Sequence, residues 1–214
     1  MADEFKIIAI TLPEGFAPLT VGTHGSCPEE IAPLTVGTHG SCVLNLAELE
    51  VRAILEGLTS GRFWRVHIRK DSPEAARALL RTLPPGLYHR LSLHNATATD
   101  VRDFPGIGVH LNGRTPVPPA GFSGTISRSC HNLAELAEFQ GDYAFISPVF
   151  DSISKPGYLA AFTPRELADA GRRGLLDRAV ALGGVTPGRI PELRAIGFRA
   201  AAMLSAAWPD DLKL

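Results

Sequence analysis

The sequence predicts a single α/β domain folded as a (β/α)8 TIM barrel. Short apolar runs, each bounded by turn residues, occur eight times along the 214 residues. Helix-forming stretches follow nearly all of them, and polar side chains gather where the runs end. A doubly wound open sheet is the alternative architecture, because periodicity alone cannot show that a sheet closes.

The eight predicted strands are short and mostly apolar, as expected for a buried parallel sheet. In chain order they span 6–11, 65–69, 91–94, 107–111, 124–127, 143–146, 179–182 and 198–204.

Capping residues mark the starts of several helices. Ser72, Asn132 and Thr163 each stand where a side-chain oxygen can cap a helix, and Pro73 follows the first of them. The predicted helices span 44–58, 73–82, 132–139, 163–173 and 187–196, and Ser205 opens a last short one. The proline-rich segment 115–119 leaves little room for a helix after the fourth strand.

A duplicated segment interrupts the pattern after the first strand. Residues 17–27 recur identically as residues 32–42, so we expect a flexible insertion in the first βα loop of a domain that spans 1–214. The copies carry two His-x-x-Cys pairs that could hold zinc, namely His24, Cys27, His39 and Cys42. Because identical copies have not been shaped separately to two positions of one site, we favour the insertion.

Composition favours a small-molecule partner. The formal net charge of -1 gives no electrostatic reason to expect nucleic acid or a membrane surface. No apolar run reaches the length of a signal peptide or a membrane span. Three cysteines make no disulfide framework, so we expect a cytoplasmic protein.

Polar residues at the predicted strand ends indicate a binding site. In a barrel, the carboxyl ends of all strands share one mouth. That rule collects His67, Arg69, His94, Asn95, His110, Asn112, residues 127–131, Lys155, Gly183, Gly184 and Ser205. Since side chains two apart on a strand share a face, Val66 and Ile68 should point away from it. The sequence therefore predicts a polar mouth on an apolar scaffold.

The ends of strands seven and eight predict a phosphate site. Gly183 and Gly184 leave backbone N–H groups accessible, and Ser205 stands at a helix start, where free N–H groups favour anions. Either feature alone would be read as a turn or a cap. Their joint occurrence after these two strands favours phosphate binding.

Histidines are the candidate proton carriers. His131 suits this role because imidazole exchanges protons near neutral pH. The neighbouring Ser129 and Cys130 are not expected to form a nucleophile dyad with it, since adjacent residues do not normally face each other. The triplet His67, His94 and His110 could in principle hold a metal, but no carboxylate accompanies it. We therefore predict no metal site.

Several motifs, taken as an ordered set, carry a family resemblance. They are Gly108-Val109-His110-Leu111, Ser129-Cys130-His131, Asp142-Tyr143, Ser147-Pro148-Val149-Phe150, Ser152-Ile153-Ser154-Lys155, Ala181-Leu182-Gly183-Gly184-Val185 and Ala201-Ala202-Met203-Leu204-Ser205. The chain resembles the thiamine phosphate synthase/TenI family, whose members are barrels of this size that bind a thiazole phosphate.

The resemblance also implies roles for single residues. Gly183, Gly184 and Ser205 would hold the thiazole phosphate, and Lys155 would meet the pyrimidine or diphosphate side and serve as a catalytic residue. The substrate-binding residues implied for the same mouth are Arg69, His94, Asn95, His110, Asn112, Ser129, Ser152 and Ser154.

Departures from the family pattern bear on the reaction. Synthases of this family usually carry Gln-x-Arg-Glu-Lys where this chain has residues 67–71, and Asn-Asp where it has His94-Asn95. They carry Gly-Gln-x-Asp where this chain has residues 112–115. The two missing aspartates would be magnesium ligands, and diphosphate displacement relies on that metal.

Members of the TenI branch resemble tautomerases that need no metal. By this resemblance, the acid/base histidine of the branch corresponds to His131. Three readings remain open. One is a metal-free thiazole tautomerase without a cofactor, and another is a thiamine phosphate synthase that uses Mg²⁺. The third is a non-catalytic regulator that binds a phosphate ligand. A homodimer is possible in each case.

Overall fold

The computed structural model describes residues 4–11, 46–151, 157 and 159–209. Within them, eight parallel strands form a closed barrel in which β8 pairs with β1. The strands are β1 (Lys6–Ile10), β2 (Arg65–Ile68), β3 (Leu91–His94), β4 (Gly108–Leu111), β5 (Ile126–Cys130), β6 (Tyr143–Ile146), β7 (Ala179–Ala181) and β8 (Ala200–Met203). The barrel prediction is confirmed, and the open sheet is excluded.

Helices lie between most successive strands. They are α1 (Leu46–Thr59), α2 (Pro73–Thr82), α3 (Ala98–Asp103), α4 (Leu133–Glu138), α5 (Pro164–Arg172) and α6 (Ile190–Ile196), with 3₁₀ helices at Pro85–Arg90, Pro187–Arg189 and Ser205–Ala207. Ser72, Asn132 and Thr163 cap α2, α4 and α5 as predicted. No helix of the described part is long and apolar enough to cross a membrane.

Several elements differ from the sequence prediction, among them the 3₁₀ helix at Pro85–Arg90, which was not predicted. Helix α3 was not predicted; it begins with a capping box between Thr97 and Asp100. Strand β5 starts and ends later than expected, because its inward side chains are polar and hide the strand pattern. The last helix is only a three-residue 3₁₀ turn. The duplicated segment 17–42 lies outside the described residues.

The barrel interior is apolar on one side and polar on the other. Ile8, Ile10 and Val180 pack against Phe145 on the apolar side. The polar side consists of inward residues of β2 to β5, all at most 1% exposed: His67, Ser92, His110 and Ser127. The expected apolar scaffold is therefore wrong for this half of the interior. Val66 and Ile68 do point outward, into the core shared with the helices.

Candidate functional site

A cavity of about 1030 Å³ opens at the carboxyl ends of the strands, and we call it the mouth. It is lined by nine of the residues predicted from the sequence: Arg69, His94, Asn95, Asn112, Ser129, His131, Gly183, Gly184 and Ser205. His110 lies beneath its floor and is 1% exposed. The predicted Ser152, Ser154 and Lys155 lie outside the described residues.

His131 lies on the rim of the mouth, directly after β5. Its side chain is exposed, and its backbone N–H donates to the carboxylate of Glu135 at 2.9 Å. Cys130 beside it is fully buried, and burial raises the pKa of its thiol. Ser129 pairs with His110 rather than with His131. The three adjacent residues thus face different surroundings, as expected from their sequence.

Gly183 and Gly184 form a tight loop after β7 that no other residue fits. Their φ angles are +91° and +62°, in the left-handed region that favours glycine. A Cβ on Gly184 would lie 2.2 Å from the carbonyl oxygen of Asp151, and one on Gly183 would lie 2.8 Å from Cα of Pro148. The glycines therefore let the loop after β6 pack against the loop after β7.

Ser205 is an exposed residue of the mouth at the start of the final 3₁₀ turn. A three-residue turn carries a much smaller dipole than a full helix, because few peptide units align in it. Its contribution to anion binding must therefore come mostly from the hydroxyl and local N–H groups.

Asn95 and Thr115, the positions at which the family synthases carry aspartates, lie next to each other. The Thr115 hydroxyl donates to Oδ1 of Asn95 at 3.5 Å, and Nδ2 of Asn112 donates to the same oxygen at 3.1 Å. Asn95 has a φ of 55°, which asparagine tolerates better than most residues. Arg114 lies in the same part of the mouth. This corner is neutral to positive.

These residues do not fit Mg²⁺, which prefers carboxylate oxygens. The described carboxylates that line the mouth are Asp71 and Asp100. Asp100 is held by Arg77 at 2.6 Å and by the hydroxyl of Thr97, and these contacts help to lower its pKa although burial acts against them. A single exposed aspartate, Asp71, remains in the described mouth, well short of the pair of carboxylates that the synthase pattern provides.

Three histidines meet below the mouth, and we call them the histidine cluster: His67, His94 and His110. Nδ1 of His67 lies 3.1 Å from Nε2 of His94, and the rings of His94 and His110 stack with centroids 4.1 Å apart. Burial is the largest cause that lowers the pKa of each ring. Arg69 lowers the pKa of His94 and His110 further. For His110 the pKa falls to about 3. All three rings are neutral at pH 7.

Hydrogen bonds fix the orientation of the buried rings. Nε2 of His67 lies 2.7 Å from the hydroxyl of Tyr143. The nitrogens of His110 contact Oγ of Ser127 and Oγ of Ser129, both at 2.9 Å. Ser127 donates its own proton to the carbonyl of Val109, so it accepts from Nδ1 of His110. The other nitrogen, Nε2, then accepts from Ser129.

Tyr143 belongs to a motif of the family resemblance, but the sequence analysis gave it no role in the site. It faces the barrel interior with Phe145, two positions along β6, and its hydroxyl joins His67 to Ser92. The alternation of Tyr143 and Phe145 with Ala144 and Ile146 was the available signal. The run looked uniformly apolar and concealed it.

Comparison with known proteins identifies related sequences and folds. Residues 107–207, from just before β4 to the last 3₁₀ turn, match the family model described as thiamine monophosphate synthase. No curated protein matches.

Two solved structures share the fold. A thiamine phosphate pyrophosphorylase from Bacteroides thetaiotaomicron has a TM-score of 0.67 and 24% identity, over 94% of this chain and 84% of that one. Another, from Pyrococcus furiosus, has a TM-score of 0.58 and 15% identity, over 99% of this chain and 91% of that one. At such identities these structures show the fold alone. The family model covers residues 107–207, a little under half of the chain, and the fold of these two structures is similar over nearly its whole length.

Proposed function

We propose that this protein is a metal-free thiazole tautomerase of the TenI type in thiamine biosynthesis. Its substrate would be a thiazole carboxylate phosphate. In this proposal Gly183, Gly184 and Ser205 hold the phosphate, and His131 moves the proton.

The observation that carries the proposal is the neutral corner formed by Asn95 and Thr115. The Thr115 hydroxyl lies between the side-chain oxygens of Asn95 and Asn112, at 3.5 and 3.4 Å, where paired carboxylates would be needed to hold Mg²⁺. Arg114 adds a fixed positive charge to the same part of the mouth. This corner suits an anionic substrate better than a metal ion.

Tautomerisation needs one group that takes a proton from the substrate and returns it at another atom. In the proposal, His131 accepts the proton through a ring nitrogen and then donates it, so that no proton is gained or lost overall. His94 and His110 are poor candidates for this step because burial lowers their pKa values and so makes the two rings weak bases. They are hydrogen-bonding groups instead.

Phosphate binding is supported by the geometry of the mouth. Gly183, Gly184 and Ser205 all line it, together with the exposed guanidinium of Arg69. Backbone N–H groups in loops with positive φ angles commonly form anion-binding concavities. The phosphate also gives binding energy remote from the reacting atoms, which positions the substrate.

A thiamine phosphate synthase is the second candidate, favoured by the family match and by the name of the similar structures. It would join hydroxymethylpyrimidine diphosphate to a thiazole phosphate. That reaction would need magnesium ligands that the described residues of this mouth do not bring together. A non-catalytic regulator that keeps the phosphate site is the third.

The direct test is incubation of the purified protein with the thiazole carboxylate phosphate in the presence of a chelator. We expect the double-bond isomers to interconvert, as followed by NMR. Binding of the ligand without interconversion would favour the regulator. Interconversion that is absent in chelator but restored by Mg²⁺ would contradict the proposal.

A further inference from the structure

We propose that the histidine cluster is a binding site for a divalent metal ion that prefers imidazole ligands, such as Zn²⁺. This site lies beneath the floor of the mouth and involves none of the residues given to the phosphate or to proton transfer. The inference goes beyond the proposed tautomerase and does not depend on it.

The ligand atoms are already close together. One ring nitrogen from each of His67, His94 and His110 lies within 4.8 Å of the other two. Two nitrogens bound tetrahedrally at about 2.0–2.1 Å from zinc lie roughly 3.3 Å apart. Nδ1 of His67 and Nε2 of His94 are separated by 3.1 Å, close to that value. The rings of His94 and His110 are stacked, so both must turn before their in-plane lone pairs point at one ion with that of His67.

The surrounding hydrogen bonds suit coordination. A metal-bound histidine usually donates its other N–H to a nearby acceptor, which fixes the ring. The hydroxyl of Tyr143 supplies that acceptor to His67 at 2.7 Å. His110 has a serine hydroxyl at each nitrogen, Ser127 and Ser129, so that either nitrogen can bind the metal while the other stays hydrogen-bonded.

A metal ion could reach the histidine cluster from the mouth and keep an open coordination position on that side. His94 lines the mouth, whereas His67 and His110 are at most 1% exposed. An ion would enter past His94 and keep its remaining position on the cavity side, where water or an anionic group can bind. Three histidines with an open fourth position form a known arrangement for zinc.

The charges around the cluster limit the metals that fit. The charged groups that act on the three rings are Arg65 for His67 and Arg69 for His94 and His110. Both oppose a cation, and no carboxylate from the described ranges joins the cluster. Mg²⁺ and Ca²⁺, which need oxygen ligands, are therefore excluded, whereas Zn²⁺, Co²⁺ and Ni²⁺ accept neutral imidazole. We expect an affinity in the micromolar rather than the nanomolar range.

This arrangement also differs from the pattern that the chain resembles. His67 and His94 occupy positions at which the family synthases usually carry glutamine and asparagine. Neither residue can replace imidazole as a zinc ligand of comparable strength. The cluster is therefore a feature of this chain and is separate from the corner at Asn95 and Thr115.

The experiment uses the full chain without an affinity tag and with His24, His39, Cys27 and Cys42 replaced by asparagine or serine. These replacements remove the other candidate ligands of the duplicated segment. The protein is stripped with chelator and titrated with Co²⁺ alone, then with Zn²⁺. We expect one equivalent to bind, with the visible absorption of four-coordinate Co²⁺ that is lost when Zn²⁺ competes.

The matched variants are His94→Asn in the cluster and His89→Asn on the exposed 3₁₀ helix at Pro85–Arg90, before β3. We expect His94→Asn to weaken binding at least tenfold and His89→Asn to leave it unchanged. If no metal binds at concentrations about 100 times higher than the micromolar dissociation constant expected above, the proposal is overturned. It is also overturned if the two variants bind the metal equally well.

A second measurement does not depend on the folding of a variant. The ring nitrogens of the histidines are labelled with ¹⁵N, and their NMR signals are followed as Zn²⁺ is added. Coordination should move the signals of three rings and leave those of His89 and His131 in place. If the metal moves only the signals of His89 or His131, the site is elsewhere and the proposal fails.

Discussion

His131 is the side chain on which the proposed proton transfer depends. It is exposed on the rim of the mouth, and its backbone N–H is fixed by Glu135. We expect His131→Ala to lower kcat for thiazole isomerisation by about 10²–10⁴, the usual range for loss of a general acid or base. KM should change little, because the phosphate site is untouched.

Steady-state kinetics on His131→Ala and His89→Ala provide the test. His89 precedes β3, at the opposite end of the barrel from the mouth, so its variant should keep the wild-type rate. Full isomerase activity in His131→Ala would show that the proton is carried by another group.

Tyr143, at the start of β6, supports the buried histidine rings. Its hydroxyl contacts Nε2 of His67 at 2.7 Å and Oγ of Ser92 at 3.2 Å. Tyr143→Phe removes the partner of the buried Nε2 of His67, whereas Ser92 keeps its hydrogen bond from Arg65. We expect a loss of about 1–3 kcal/mol in the free energy of unfolding. Urea denaturation at pH 7 measures it.

Tyr88→Phe is the matched control for this prediction. Tyr88 is also buried, but its hydroxyl is bonded to a single backbone carbonyl, that of Leu80. We expect a smaller loss, about 0.5–1.5 kcal/mol. If the two variants lose equal stability, Tyr143 contributes no more than one ordinary hydrogen bond.

Among the elements of the barrel, the loop between β7 and the following 3₁₀ helix is constrained both by its backbone angles and by close packing. Gly184 combines a φ of +62° with a clash between any Cβ and the carbonyl of Asp151. We expect Gly184→Ala to lower the free energy of unfolding by at least about 2 kcal/mol and to weaken phosphate binding.

Gly61→Ala separates the cost of a positive φ angle from the cost of the Cβ clash. Gly61 has a φ of +79°, but a Cβ there would meet nothing within 4 Å. The Gly61→Ala variant should therefore lose only about 1 kcal/mol in the free energy of unfolding, which is the cost of the positive φ angle. Thermal unfolding of both variants measures the difference. Equal losses would mean that the loop can move away from Asp151.

Elements with strong local signals were predictable from the sequence. The helix 73–82 was predicted with its exact bounds because Ser72 and Pro73 mark its start. Strand β6 was likewise predicted correctly from its compact apolar run. Helix α3 was missed because it is short and its capping box lies among polar residues. Strand β5 was misplaced because its inward side chains, Ser127 and Ser129, resemble those of a loop.

The candidate site was predictable to the extent that strand ends share one mouth. That rule assigned His94, Asn95 and His131 to one cavity without a structure. It could not give the depth of each residue, so His110 was expected at the surface of the mouth and lies beneath it. The convergence of three ring nitrogens depends on strand register and tilt, which periodicity does not supply.

The whole molecule should be sensitive to acid. His67, His94 and His110 have a lowered pKa in the folded state, that of His110 being about 3, so the unfolded chain binds protons first. Stability is then complete above the unfolded pKa of about 6.5 and falls as the pH drops toward 3. With three such groups, the loss can reach about 4 kcal/mol per pH unit.

Urea denaturation at several pH values between about 7 and 5 measures how steeply the free energy of unfolding changes with pH. This range is chosen because it spans the ordinary pKa of histidine. His67→Gln should reduce the slope by about one third, because one of the three groups is removed, whereas His89→Gln should not change it. A stability that is constant over this range would show that the buried rings are protonated in the folded protein.

The central claim is that this barrel rearranges a thiazole phosphate without Mg²⁺ and does not couple it to a pyrimidine. The most direct measurement supplies hydroxymethylpyrimidine diphosphate and thiazole phosphate with and without Mg²⁺, and the thiazole carboxylate phosphate alone in parallel. We predict isomerisation of the carboxylate in both conditions and no thiamine phosphate in either. Thiamine phosphate that forms only with Mg²⁺ would contradict the account and identify a synthase.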